Sequence, residues 1–93
     1  MNLSKDQLDK INKYARALTS IPDVAVLMGL DEDDLREDMA CCNSPARIAY
    51  ETGRAQTEYE IRSTEINMAA SGSPLAIQHV KGYLNDLILI NDL

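Results

Sequence analysis

The chain has neither Phe nor Trp, so its core must be built from Leu, Ile, Val, Ala, Met and four Tyr. It has one His, His79, and only two Cys, the neighbours Cys41 and Cys42. A disulfide between adjacent residues is strained, and no third thiol offers another pairing. A zinc site needs more nitrogen and sulfur ligands than these three side chains provide. Packing or surface thiols are expected, and no metal. The Gly residues at 29, 53, 72 and 82 are scattered, which excludes a Gly-rich phosphate loop. No nucleophile–base pair stands out, and His79 sits beside apolar Val80 in a helical stretch. Neither an enzyme nor a cofactor is expected. No run approaches the roughly 20 apolar residues of a membrane span. Met1–Leu8 shows no hydrophobic signal segment. A cytoplasmic chain with no membrane partner is the expectation.

Basic residues are also scarce where they would matter most. The net charge is −6, unevenly spread. Met1–Thr19 carries Lys5, Lys10, Lys13 and Arg16 against Asp6 and Asp9, a balance of +2. Ser20–Ser44 carries seven acids against Arg36, a balance of −6. The segments Pro45–Gly72 and Ser73–Leu93 are each −1. An acidic chain lacks the nonspecific phosphate attraction behind most DNA binding, so binding would need a local basic patch, several copies of one, or a partner.

What is present is helical. At 93 residues the chain suits one small domain, for which oligomerisation is a common way to enlarge a modest core. The organising stretch runs from Ser20 to Asp38. Ser20 can cap a helix, and Pro22 sits in a first turn that tolerates a missing N–H. Val24, Ala25, Leu27 and Met28 give that helix an apolar face, and Gly29 can end it in the left-handed conformation. Asp31 caps a second helix with acids in its first turn, where the helix dipole favours them, and Leu35 and Met39 follow at helical spacing. The Ala25–Gly29–Leu35 spacing matches helix-turn-helix packing. The small residue lets the helices cross closely, the Gly makes the turn, and the Leu plugs the angle.

The rest of the chain is punctuated by caps. Ser4-Lys5-Asp6-Gln7 is a capping box that opens a helix with a core stripe of Leu8, Ile11, Ala15 and Leu18. Lys10, Lys13 and Arg16 fall on its other faces, either as solvated surface or as a phosphate-contacting face. After Asn43, Ser44 caps and Pro45 starts a long helix reaching Ser71. Gly53 inside it costs about 1 kcal/mol against Ala, and marks the close approach of another helix or a kink. Ile48, Ala55, Tyr59, Ile66 and Ala69 approximate a heptad seam, which Thr52 and Arg62 interrupt; Tyr50, Ile61 and Met68 form a second apolar face. Ser71-Gly72-Ser73-Pro74 turns the chain into a last helix, antiparallel to the long one. The stretch Leu87-Ile88-Leu89-Ile90 is apolar all round, so either the domain buries it or a subunit contact does. The fold class is therefore all-α, with about five helices: an N-terminal helix plus helix-turn-helix (1–42), then a long-helix hairpin (43–93) suited to oligomerisation.

Two further patterns lead nowhere. If Asp31 opened a calcium loop, its sixth position would be Arg36 and its twelfth Cys42, where Gly and a bidentate Glu are needed. The four Tyr are spread over several helices without a basic groove, which suits core edges better than base stacking.

Taken together, the order of parts resembles the small subunit of phage terminase and the short helix-turn-helix proteins grouped near that family. The matching pieces are Val24-Ala25 with Gly29, then Ala49-Tyr50-Glu51-Thr52-Gly53-Arg54-Ala55, then Met68-Ala69-Ala70-Ser71-Gly72-Ser73-Pro74-Leu75-Ala76-Ile77. The resemblance covers roughly Ile21 to Leu84. It implies a DNA-packaging accessory in a bacterial host cell, a homo-oligomer that binds double-stranded DNA and contacts a large ATPase–nuclease subunit. The residues expected to meet DNA are Lys5, Lys10, Lys13, Arg16, Arg36, Arg47 and Arg54. The alternatives are a protein-interaction module that kept the shape but not the DNA binding, and a small transcription regulator.

Overall fold

The computed structural model describes residues 1–92, which form five α-helices and no strand. They are α1 (Lys5–Arg16), α2 (Ile21–Met28), α3 (Glu32–Met39), α4 (Pro45–Ala70) and α5 (Pro74–Asn91). Each begins where a short polar side chain takes up an otherwise unsatisfied backbone N–H. Ser4 Oγ accepts from Gln7 N at 3.2 Å while Ser4 N donates back to Gln7 Oε1 at 2.8 Å. Ser20, Asp31, Ser44 and Ser73 accept in the same way from Asp23, Asp34, Arg47 and Ala76. Ser44 is buried, and its hydroxyl also donates to Asp38 at 3.0 Å, so the end of α3 and the start of α4 share one polar joint.

By packing, the chain divides into two compact units, Met1–Thr57 and a second from Glu58 onward, so the boundary falls inside α4. The first unit holds a true core of Ile11, Val24, Ala25, Leu35, Met39 and Ala46. Leu3, Leu8, Tyr14, Met28, Leu30 and others are packed around it, half-buried. α2 lies against both α1 and α3. Gly29 ends α2 at φ 68°, and Leu30 N reaches back to Ala25 O at 2.9 Å. A Cβ on Gly29 would meet nothing within 4 Å, so conformation rather than space requires glycine there.

Two residues assigned to apolar faces lie elsewhere. Leu27 is 58% exposed, because it falls about 100° away from the face that Val24, Ala25 and Met28 share. Leu18 is 51% exposed, because α1 stops before it and the chain turns out at φ 59°. Thr19 N closes that turn on Tyr14 O at 3.0 Å. A Leu in the left-handed region is strained by its Cβ. Leu18→Gly is therefore expected to raise the stability of the first unit by about 0.5–1 kcal/mol, read as a higher denaturation midpoint. An unchanged or lower midpoint would mean that the apolar contacts of Leu18 outweigh the strain.

α1 and the start of α4 approach closely. Asn12 Nδ2 donates to Ala49 O at 3.1 Å, Thr57 Oγ1 to Arg16 O at 2.5 Å, and Tyr50 Oη to Thr19 O at 2.6 Å. Gly53 is buried at this crossing, and α4 runs through it without a break in its helix.

The second unit is a helical hairpin. Gly72 turns at φ 98°, and Ser73 N bonds Met68 O at 3.2 Å. Glu65 then meets both His79 and Tyr83, which fixes the two helices as antiparallel. Among the described residues of this unit only Ala76 is buried. The unit does not bury Leu87, Ile88, Leu89 and Ile90, which are 51, 40, 77 and 79% exposed. Among the described residues, no helix is long and apolar enough to cross a membrane.

Candidate nucleic-acid interface

A surface that meets phosphate needs cations that are exposed and not already neutralised. α1 has them. Lys5, Lys10, Lys13 and Arg16 are all exposed, because the opposite side of α1 is anchored by Ile11 and Ala15. None of the four makes an ion pair among the described residues. Asp6 and Asp9 are exposed on the same helix, so the local excess is modest. Lys13 and Arg16 lie in its last turn, where they also complement the helix dipole.

The cations on the other helices are placed differently. Arg36 Nε lies 2.9 Å from Glu32 Oε2, one turn back on α3. Arg54 Nη2 lies 2.7 Å from Glu51 Oε2. Each is the kind of surface pair that contributes little to stability but does neutralise its own charge. Arg47 is exposed on α4 and makes no ion pair among the described residues. Around Arg36 the exposed acids Glu32, Asp33, Asp34 and Glu37 give α3 a negative outer face. The seven candidates thus fall into a basic face on α1, two Arg on α4, and a neutralised Arg on an acidic helix.

The tyrosines divide as well. Tyr14 and Tyr50 are half-buried at the core edge, whereas Tyr59 is 69% exposed. Cys41 and Cys42 are free and exposed. No group of three ligating side chains that could hold a metal gathers among the described residues.

One polar cluster went unread in the sequence. On the hairpin, His79 Nδ1 lies 2.7 Å from Glu65 Oε2, and Tyr83 Oη donates to Glu65 Oε1 at 3.0 Å. A carboxylate has no proton to give, so the His79 ring donates from Nδ1. The Arg62 guanidinium sits 5.3 Å from the centre of the Tyr83 ring, within cation–π range, and 3.5 Å from Glu58. The hydrogen bond to Glu65 holds the Tyr83 phenol above its ordinary value, helped by partial desolvation and the Glu65 charge. A signal for this cluster did exist: Glu65 and His79 are fourteen apart, centred on Gly72, so a hairpin turning there must set them side by side.

Compared with protein-family models, with curated proteins and with solved structures, the chain shows no significant match to any.

Proposed function

We propose that the chain is a non-enzymatic helix-turn-helix accessory protein that binds double-stranded DNA through α1, in the manner of the phage terminase small subunit that its order of parts resembles. One observation carries this: Lys10, Lys13 and Arg16 are exposed on α1 and make no ion pair among the described residues. Their helix packs beside an α2–turn–α3 arrangement in which Ala25 and Leu35 are buried and Gly29 is left-handed. The acidic α3 is then a scaffold rather than a reader of bases, since base edges are read by Arg, Lys, Asn and Gln. An assembly of several chains would multiply the few phosphate contacts that one chain offers. Within a packaging machine, a large ATPase–nuclease subunit would be the protein partner.

The test is a gel shift across a salt series. Three phosphate contacts per chain predict a slope of log affinity on log salt of about −2.7 per chain. Lys10→Glu, Lys13→Glu and Arg16→Glu together should abolish the shift at low salt without changing the helix content. Unchanged affinity would remove α1 from the interface.

A second function is favoured by a different observation. Glu32, Asp33, Asp34 and Glu37 are exposed together, and the single cation among them is paired. That surface suits a basic protein partner, with the helix-turn-helix shape kept and DNA binding lost. No shift at any salt, with concentrated and folded protein, would favour this module over the DNA-binding one.

A further inference from the structure

We propose that Leu18, in the exposed turn that ends α1, is a wedge. When the chain is bound to double-stranded DNA, its side chain enters the minor groove, leans between two base pairs and bends the duplex. This rests on the DNA-binding proposal and adds to it a residue that carries no charge.

The position is one that favours glycine. Leu18 N donates to Ala15 O at 2.9 Å and Thr19 N to Tyr14 O at 3.0 Å, so α1 closes with a left-handed residue just past its C-cap, Ala17. Gly29 and Gly72 meet the same need after α2 and α4. Leu18 takes φ 59° with a Cβ and is still 51% exposed, so the strain is not repaid by burial. Strain of this kind, kept at a residue that the fold does not bury, marks a surface used for binding.

Leu18 is exposed but held. The last four carbonyls of α1 are all occupied: Lys13 O accepts from Ala17 N, Tyr14 O from Thr19 N, Ala15 O from Leu18 N and Arg16 O from Thr57 Oγ1. Thr19 O accepts from Tyr50 Oη at 2.6 Å. The turn is therefore bonded to α1 on one side and to α4 on the other. A wedge needs such a base, because a side chain on a loose turn would retreat rather than part stacked bases. The occupied carbonyls also lessen the negative charge that the end of a helix shows to phosphate.

The surrounding charge selects DNA. Between Asp9 and Asp23 the chain has no acid but carries Lys10, Lys13 and Arg16, and Leu18 is the large apolar side chain exposed in that stretch. The Arg16 stem rests on α4 at Gly53, where a Cβ would stand 3.2 Å from Arg16 Cγ. Two residues of chain span at most about 7 Å, close to the ~6 Å width of the minor groove. Arg16 can thus hold a phosphate at the groove edge while Leu18 enters the groove. Aliphatic side chains of this size part base steps from the minor groove and kink the duplex, most readily at flexible TA or CA steps. Val26 and Leu27 are also exposed, at 78 and 58%, but the acids from Asp31 to Asp34 follow them closely and repel phosphate.

The experiment uses the whole chain and a short duplex carrying a donor dye at one end and an acceptor at the other. Wild-type protein should bring the ends together, with a bend of about 20–90°, and more readily on a central TA step than on an A-tract. Leu18→Gly and Leu18→Ala should leave the duplex straight and weaken binding about fivefold to twentyfold. Their salt dependence should match that of the wild type, because every cation remains. Leu18→Met, which keeps the length of the side chain, should retain the bend. Leu18→Gly should bind less well while folding at least as stably as the wild type. A straight duplex in the wild-type complex, or full bend and affinity with Leu18→Gly, would overturn the wedge and leave DNA binding standing. So would a lower denaturation midpoint accompanying the weaker binding of Leu18→Gly, which would assign Leu18 to the fold alone. Failure of the wild type to bind duplex at any salt would overturn the DNA-binding proposal itself, and the wedge with it.

Discussion

Leu35→Ala is expected to lower the unfolding free energy of the first unit by about 3–4 kcal/mol. Leu35 is 0% exposed and is one of the three largest fully buried side chains, with Ile11 and Val24. It belongs to the one buried cluster that also holds Ala25 of α2, Met39 of α3 and Ala46 of α4, and α2 and α3 are in contact across the Gly29 turn. Its neighbours cannot collapse into the space it leaves. Ala25 is too short, and α2 and α3 are both capped and joined by a tight turn that fixes their approach. The cost therefore includes the cavity as well as the lost transfer of the side chain. For a unit of this size the whole stability is about 3–8 kcal/mol, so the variant stands near its own midpoint. Chemical denaturation followed by circular dichroism reads the change, and the hairpin helices supply a separate signal. Leu35→Met keeps the volume and should cost less than about 1.5 kcal/mol. A loss below about 1 kcal/mol for Leu35→Ala would show that the α2–α3 angle is not held by this residue.

Much of this fold was legible because it is written locally. A cap is decided by a side chain and an N–H three residues away, so Ser4, Ser20, Asp31, Ser44 and Ser73 could all be read from neighbours alone. Gly29 and Gly72 were legible for the same reason: both sit just past an apolar helix, and both take positive φ. Faces were harder. Leu18 and Leu27 fit a spacing rule, but in helices this short one residue past the end, or one step round, is already in solvent. The candidate site divided along the same line. Exposure of the α1 cations follows from the Ile11 and Ala15 stripe opposite them. The pairing of Arg36 with Glu32 and of Arg54 with Glu51 lies at helical spacing, and was open to reading in the sequence as charges that neutralise one another. The seam of Ile48, Ala55, Tyr59, Ile66 and Ala69 shows the limit. Periodicity states which residues seek burial, but it cannot state what covers them: Ala69 is half-buried, and the other four are exposed in a single chain.

Gly53→Ala is expected to destabilise the first unit by about 1–3 kcal/mol, against a helix propensity that favours Ala by about 1 kcal/mol. Propensity is set by α4 alone, whereas the cost is set by α1. A Cβ at Gly53 would stand 2.6 Å from the Asn12 carbonyl oxygen, 3.0 Å from Ala15 Cβ and 3.2 Å from Arg16 Cγ. The Arg16 side chain can move aside, but the Asn12 oxygen belongs to the α1 backbone and moves only with the helix. Separating the helices would strain the bonds that tie them, Asn12 to Ala49 at 3.1 Å and Thr57 to Arg16 at 2.5 Å. Gly82 provides the control, since it lies inside α5 and a Cβ there meets nothing within 4 Å. Gly82→Ala should therefore stabilise its helix by about 0.5–1 kcal/mol. The two substitutions make the same chemical change in helices and are expected to differ in sign, which paired denaturation curves would resolve. Stabilisation by both would mean that α1 does not rest on α4 at Gly53. The basic face of Lys10, Lys13 and Arg16 would then lose the support that holds it in place, and the DNA-binding proposal would lose its rigid platform.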